Sequence, residues 1–147
     1  MEHQVCLGLG SNLGNRAKLL ERAIQLTDER VGEVICQSSF METEPWGFES
    51  ANRFLNGVIL CKTWLTPREV LEATQQIERE LGKEQMHTTQ RSQSPMYKDR
   101  PIDIDILLYD DLTMDEPDLK IPHPLMKERD FVMKPLREIE EKLNIKL

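Results

Sequence analysis

The sequence predicts an α+β fold built around an antiparallel sheet. Two observations support this: apolar runs and helical patterns follow one another in a regular order, and one helical segment carries clear boundary signals. The order is strand, helix, strand, strand, helix, strand, which matches the split βαβ, ferredoxin-like arrangement. In that arrangement both helices pack on one face of the sheet, so we expect the other face to be free to build a site. A hairpin and short helices are expected at the C-terminus.

The first strand and helix lie in the N-terminal third of the chain. QVCLGL (4–9) is short and apolar, and GSNLGN (10–15) is interpreted as the tight turn that follows it. From Asn15 to about Glu29 the apolar residues keep close to helical spacing, and charged residues cover the other faces. GLGSNLG resembles a dinucleotide fingerprint, but its last glycine comes one residue too late and no phosphate-loop lysine follows. We therefore interpret it only as a turn.

Two further strands and the second helix follow. One strand is expected around 33–41, ending in a Pro-Trp-Gly turn, and another between 53 and 64. In TPREVLEATQQIERELG, Thr66 is a good N-cap, Pro67 fits the first helical position and Glu69 completes a capping box. Gly82 is placed to close this helix in the left-handed conformation.

The C-terminal half contains a long polar segment. Residues 83–99 are aperiodic, and such a connection is longer than compact domains normally use, so we expect a lid or a disordered loop. After a strand within 100–111, a hairpin and short helices broken by prolines are expected. At 147 residues the chain is most simply one domain, 1–147, large enough to bury a core without disulfides or a structural metal.

Composition restricts the partners. The net charge of −7 and the pI near 5.0 argue against broad binding of nucleic acid or anionic membranes, which both need a positive surface. No segment approaches the ~18 apolar residues of a membrane span. Cys6, Cys36 and Cys61 lie in apolar runs without metal or redox spacing, which indicates buried thiols in a reducing compartment. We expect a cytoplasmic protein, and a monomer because no extra amphipathic surface is left over.

Two aspartates in RPIDIDILLYDD (100–111) are the strongest candidates for chemistry. A strand repeats every second residue, so Asp103 and Asp105 should point to one face and the isoleucines between them to the other. Mg²⁺ commonly takes one or two carboxylates together with substrate phosphates. A solvated strand face is the alternative, but the isoleucine run suggests a central strand, where unneutralised charges are costly. We therefore favour a metal site.

Cationic and aromatic residues nearby suit a phosphorylated ligand and a flat ring. Arg91, Lys98 and Arg100 precede the aspartates, and Arg100 is held near Asp103 by its spacing; the first two serve equally well as a solvated basic loop. KIPHPLMKERDF (120–131) adds His123, Lys127, Arg129 and Phe131 as an anion-binding corner or as ordinary packing. Trp46 and Phe54 beside Asn56 suit a heterocycle, because rings stack and an amide both donates and accepts, although Phe54 alone would be core.

Taken together, these segments resemble the 6-hydroxymethyl-7,8-dihydropterin pyrophosphokinases of folate biosynthesis. The shared pieces are LGLGSNLGNR, ETEPWG, FLNGVI, IERELG, RPIDIDILLYDD and IPHPLMKERDFVMKPLREI, in the family's order over nearly the whole chain. The resemblance implies that Mg²⁺-ATP donates its terminal diphosphate to the pterin hydroxymethyl group and releases AMP. It implies two Mg²⁺ ions, with ATP as co-substrate.

The resemblance also implies residue roles. Asp103 and Asp105 would hold the metal ions, and together with Arg100, which would stabilise phosphate charge, they form the catalytic set. The implied ATP-binding residues are Gln75, Glu78, Lys83, Tyr97, Arg100, Ile106, His123 and Arg129. The implied pterin-binding residues are Thr43, Glu44, Trp46, Phe54, Asn56 and Phe131, with Phe54 and Phe131 as the two rings that sandwich the pterin.

The chain departs from the family pattern after ELG (80–82). An arginine usual there is replaced by Lys83, which lacks a planar bidentate fork, and Arg91 and Lys98 are the other candidates for that phosphate contact. Pro124 stands where some members carry an aromatic residue. Two alternatives remain: a kinase acting on another small alcohol or nucleotide, and a ferredoxin-like binding or regulatory module without catalysis.

Overall fold

The structure, a computed structural model, describes residues 1–44, 52–86 and 101–147, except for the side chains of 83–86. Seven strands and three α-helices occur within these ranges. Their bounds are β1 His3–Ser11, α1 Arg16–Arg30, β2 Gly32–Gln37, β3 Met41–Thr43, β4 Phe54–Thr63, α2 Pro67–Met86, β5 Asp103–Tyr109, β6 Met114–Glu116, β7 Leu119–Ile121 and α3 Asp130–Leu143. A 3₁₀ turn, Met126–Glu128, precedes α3.

The main sheet has the order β2-β4-β1-β5, with β3 also pairing with β4. All its pairings are antiparallel. This order confirms the ferredoxin-like α+β prediction, because the strand after each helix lies beside a strand from the other half of the chain. The strand expected over 33–41 is divided into β2 and β3, and the predicted C-terminal hairpin is β6–β7.

Both faces of the sheet are covered. On one face α1 and α2 pack over a core that includes Leu7, Ile59 and Ile77. On the other face α3 packs over a second cluster that includes Leu60 and Ile139. The expectation of a free second face is therefore wrong for much of the sheet. Instead of several short pieces, α3 is one fourteen-residue helix that accommodates Pro135 and buries its apolar stripe.

The start of α2 confirms the capping box. The Thr66 amide donates to Glu69 Oε1 at 2.9 Å, and the Glu69 amide donates to Thr66 Oγ1 at 3.2 Å. The predicted stop at Gly82 is wrong, because α2 continues to Met86 and Gly82 does not have a positive φ angle. Consequently residues 83–86 belong to a helix and not to the expected loop. The rest of that expected lid lies outside the described residues.

The strand that carries the aspartates is at the edge of the described sheet, so the expectation of a central strand is wrong. Its isoleucines are buried because the helices cover one face, and not because strands flank β5 on both sides. A register shift opposite Cys6 and Leu7 leaves Leu107 as an extra residue in β5.

Cys6 and Cys61 are buried and Cys36 is partly buried, all three as free thiols. No helix among the described residues is long and apolar enough to cross a membrane.

Candidate active site

A row of paired residues crosses the sheet at the end where β5 begins. Asp103 on β5 pairs with Gly10 on β1, Gly10 pairs with Asn56 on β4, and Asn56 pairs with Met41 on β3. In the next row Asp105 pairs with Gly8. The predicted alternation is confirmed, because the isoleucines beside the two aspartates are buried in the core below α1 and α2. Asp103 and Asp105 therefore face the side of the sheet that α3 covers.

Arg129, at the start of α3, lies next to the aspartates. Its Nη1 is 4.0 Å from Asp105 Oδ2, and its side chain is only 11% exposed, whereas that of Asp105 is 36% exposed. The Arg129 guanidinium carbon also lies 5.5 Å from the centre of the Phe131 ring. One turn thus holds a largely buried cation between a carboxylate and an aromatic ring.

Glu78 lies on α2, and its side chain reaches the backbone of β5. Its carboxylate accepts a hydrogen bond from the Ile104 amide at 2.8 Å. Burial, followed by the negative charges of Asp103 and Asp105, raises the pKa of Glu78 to about 8, against the opposing effect of the Ile104 amide. The fold therefore collects three carboxylates at a place where their charges repel one another.

His123 is held against the extra residue of β5. Its backbone amide donates to the Leu107 carbonyl at 3.0 Å, and its Nδ1 accepts from the Leu125 amide at 3.3 Å. Burial and the nearby charge of Arg129 lower the pKa of His123, while Asp103 acts in the opposite direction. A neutral ring whose Nδ1 accepts a hydrogen bond carries its proton on Nε2. His123 can therefore donate from Nε2 to an anion.

Asn56 and its neighbours form the opposite end of the row. Asn56 is 5% exposed, and its Nδ2 donates to Thr43 Oγ1 at 2.7 Å. Phe54 pairs with Thr43 near the start of β4 and is partly buried. The strands β3 and β4 thus place an oriented amide and an aromatic ring side by side.

Asp103 and Asp105 are the residues that could hold a divalent cation. Mg²⁺ commonly binds one or two carboxylates and completes its shell with water and phosphate oxygens, so a pair of aspartates fits it. Within the described ranges no group of three or more His, Cys, Asp or Glu residues forms a metal site from protein ligands alone. The pair suits a metal that arrives with its substrate.

Several predicted site residues are not joined to this arrangement. Gln75 is exposed on α2, and Glu44 is exposed and paired with Arg53 at 3.2 Å. Ile106 is buried in the core below α1 and α2, on the face opposite the aspartates, so only its backbone is available to a ligand at the aspartate face. The remaining predicted residues, Trp46, Arg91, Tyr97, Lys98 and Arg100 with the side chain of Lys83, lie outside the described residues.

Two glycines of β1 lie on the same face of the sheet as the aspartates, which we did not predict from the sequence. Gly8 and Gly10 lie inside β1 and on the face of the aspartates, so the assignment of Gly10 to the turn is wrong. The turn has its positive φ angle at Gly14. The signal was available in the sequence, because two glycines spaced by two in a strand leave one face without side chains.

The fold and the site define a ferredoxin-like α+β protein whose carboxylates, buried arginine and aromatic residues meet at one end of the sheet. A sequence model described as 7,8-dihydro-6-hydroxymethylpterin-pyrophosphokinase matches residues 6–141. The chain belongs to this family, whose members transfer diphosphate to a hydroxymethyl dihydropterin in folate biosynthesis.

Curated relatives agree with this assignment. The 2-amino-4-hydroxy-6-hydroxymethyldihydropteridine pyrophosphokinase of Porphyromonas gingivalis is 49% identical over 136 residues, covering 92% of this chain and 89% of its own. The enzyme of that name from Bacillus subtilis is 39% identical over 140 residues, covering 95% and 79%.

A solved HPPK-DHPS chain from Plasmodium falciparum superposes with a TM-score of 0.72 at 18% identity, covering 95% of this chain and 40% of that one. That likeness concerns the fold alone, and this chain spans well under half of the solved chain.

Proposed function

We propose that this site transfers the terminal diphosphate of ATP to the hydroxymethyl group of 6-hydroxymethyl-7,8-dihydropterin, with AMP as the second product. The observation that carries the proposal is the row in which Gly10 separates Asp103 from Asn56. The row spans two interstrand spacings, about 10 Å. A flat bicyclic ring bound at Asn56 would thus present its one-carbon arm towards the aspartates.

Asp103 and Asp105 are proposed to hold two Mg²⁺ ions together with the triphosphate. When bound, the metal supplies charge neutralisation on phosphate oxygens and a template that aligns the attacking hydroxyl. The crowding of three carboxylates supports this role, because burial and the negative charges of Asp103 and Asp105 together raise the pKa of Glu78, and a cation at the two aspartates would offset their negative charge. The aspartates thus bind the metal and orient the phosphates.

Arg129 and His123 are proposed to bind phosphate oxygens beside the metal. A guanidinium recognises phosphate through paired N–H groups, and Arg129 is already positioned near Asp105. His123 would add a neutral donor from Nε2. Arg100, as a catalytic cation, and the ATP contacts of Gln75, Glu78, Lys83, Tyr97 and Ile106 are retained as proposals.

Phe54 and Phe131 are proposed to enclose the pterin ring between them. Asn56, Thr43, Glu44 and Trp46 would read its edge. The pterin hydroxyl oxygen would form a bond to the β-phosphorus, and the bond from that phosphorus to the α–β bridging oxygen would break. AMP would leave with the bridging oxygen, and the hydroxyl proton would pass to water. The protein's share is alignment and charge stabilisation.

The decisive experiment is incubation of the protein with ATP, Mg²⁺ and the hydroxymethyl dihydropterin, followed by chromatography of the nucleotides. AMP together with a pterin diphosphate supports the proposal. ADP would indicate transfer of a single phosphate and so a different kinase. Pterin binding without any nucleotide turnover would favour the binding module.

The metal role is tested by Asp103→Asn and Asp105→Asn. Each is expected to lower turnover by about a hundredfold or more, as the loss of transition-state charge stabilisation typically does. Circular dichroism should show that both variants remain folded. Asp115→Asn is a matched control, because Asp115 is an exposed aspartate on β6 paired with Lys120. Near-full activity in both site variants would contradict the metal proposal.

We further propose that the protein acts as a single-domain monomer in the cytoplasm. Light scattering of the purified chain tests the oligomeric state, and a dimer mass would overturn it.

A further inference from the structure

Gly10 occupies a special place in the site. It is buried in β1, and its neighbours across the sheet are Asp103 on one side and Asn56 on the other. A Cβ atom added at this position would lie 3.0 Å from Asn56 Oδ1 and 3.5 Å from Cδ1 of Phe54. The Asn56 oxygen therefore lies at contact distance from the space that any other side chain at position 10 would use.

Asn56 has little freedom to move away from that contact. Its amide nitrogen is held by Thr43 at 2.7 Å, and the residue is 5% exposed. With the nitrogen used by Thr43, the carbonyl oxygen is the end of the amide that extends over β1. The bare backbone of Gly10 and the orientation of Asn56 are thus two parts of one arrangement.

Gly8 provides an internal comparison. It lies two residues earlier in the same strand and on the same face, and it pairs with Asp105. The three atoms nearest to a Cβ at Gly8 would all belong to the Leu107 side chain, at 3.4–3.5 Å, which is ordinary van der Waals contact. The two glycines therefore differ: a Cβ at position 8 would be in ordinary contact with a side chain, whereas a Cβ at position 10 would require Asn56 to shift by a few tenths of an ångström.

From this geometry we infer that Gly10 is a positioning residue for the proposed pterin site. Because Gly10 has no side chain, the Asn56 carbonyl can extend over β1, and the surface of the strand stays bare for a flat ring. The inference rests on the proposed function in so far as the ring is the pterin. An alanine at position 10 turns or tilts the Asn56 amide and places a methyl group on the strand surface where the ring would lie. Affinity for the pterin falls, while groups that bind ATP are unaffected.

The test uses the full-length chain and four variants: Gly10→Ala, Asn56→Ala, the double variant of these two, and Gly8→Ala as the matched control. Gly10→Ala should weaken pterin binding about tenfold, the effect of losing one good hydrogen bond. Its affinity for a non-hydrolysable ATP analogue should remain that of the wild type. Gly8→Ala should bind both ligands like the wild type.

The double variant separates positioning from general damage. Because the added methyl group at position 10 acts through Asn56, its effect on pterin affinity should largely vanish once Asn56 is replaced by alanine, whereas unrelated effects would add. Additive losses, or equal losses in Gly8→Ala and Gly10→Ala, would overturn the inference. If the single variant Gly10→Ala does not fold, the double variant should regain stability, because the close contact between the added Cβ and Asn56 is removed. Failure to regain stability would also overturn the inference.

A measurement without ligand separates this inference from the proposed function. The side-chain amide signals of Asn56 in a ¹H–¹⁵N spectrum, assigned by their loss in Asn56→Ala, should shift in Gly10→Ala and stay in place in Gly8→Ala. Unshifted signals in Gly10→Ala would refute the contact. A wild-type chain that fails to bind the pterin would refute the proposed function, and the shift would still support the role of Gly10 in orienting the amide.

Discussion

Replacing Glu78 by glutamine removes one of the three carboxylates that folding brings together. Glu78 accepts a hydrogen bond from the Ile104 amide, and a glutamine Oε1 can keep that bond. The substitution therefore removes the charge without leaving the amide unsatisfied. In the absence of Mg²⁺, Glu78→Gln should therefore be more stable than the wild type at alkaline pH.

The expected size follows from the pKa of Glu78, which burial and the two aspartates raise from its ordinary value of 4.5 to about 8. Between these values the folded state binds more protons than the unfolded state, so the wild-type free energy of unfolding decreases as the pH rises from 4.5 to 8. Glutamine does not ionise, so Glu78→Gln lacks this contribution to the pH dependence of the free energy of unfolding. One pKa unit corresponds to about 1.4 kcal/mol, so the free energy of unfolding of the variant should exceed that of the wild type by on the order of 5 kcal/mol above pH 8 and by little below pH 4.5.

Urea unfolding followed by circular dichroism from acid to alkaline pH, without metal, measures this difference. Glu72→Gln is the matched control, because Glu72 is exposed on the same helix. Its difference from the wild type should not change over this range. Adding Mg²⁺ with an ATP analogue should stabilise the wild type more than Glu78→Gln, since a bound cation relieves the repulsion. A Glu78→Gln difference that is constant with pH, or a less stable variant at pH 8.5, would refute the reasoning.

Substitutions at three positions test the fold itself by chemical unfolding. Gly82→Ala should raise the free energy of unfolding by about 0.5–1 kcal/mol, because Gly82 lies within α2 and an added Cβ meets no atom within 4 Å; a loss would contradict the helical assignment. Thr66→Ala should cost about 1 kcal/mol by breaking the capping box, and Thr66→Ser should restore most of it. Ile139→Ala should cost about 2–4 kcal/mol, because Ile139 is 0% exposed between α3 and the sheet; a cost below about 1 kcal/mol would mean that α3 does not cover that face.

Local signals predicted much of the fold. The capping box of α2 and the alternation of aspartates with isoleucines depend on near neighbours in the chain, so both were predictable and both are confirmed. The end of α2 was not, because glycine is tolerated inside a helix and neighbouring structure decides where the helix stops. The prediction that β5 is a central strand was wrong for a similar reason. An apolar run indicates that a strand is buried, but it does not indicate whether neighbouring strands or helices bury it.

The candidate site also contains features that were predictable from the sequence and features that were not. The identity and spacing of Asp103 and Asp105 were sufficient to suggest a metal site, since two carboxylates on one strand face need no distant partner to be recognised. Glu78 was assigned a role only through resemblance, and its raised pKa depends on the approach of α2 to β5. The orientation of Asn56 depends on Thr43 from another strand.

The sequence by itself determined the alternation of isoleucines and aspartates along β5, where α2 begins and which residues carry charge, because these follow from spacing along one chain. Only the tertiary structure decided that α3 covers the second face, that β5 lies at the edge and that Gly10 makes room for Asn56. Those outcomes are contacts between residues far apart in sequence. Their energies depend on distances that exist only once the strands have paired.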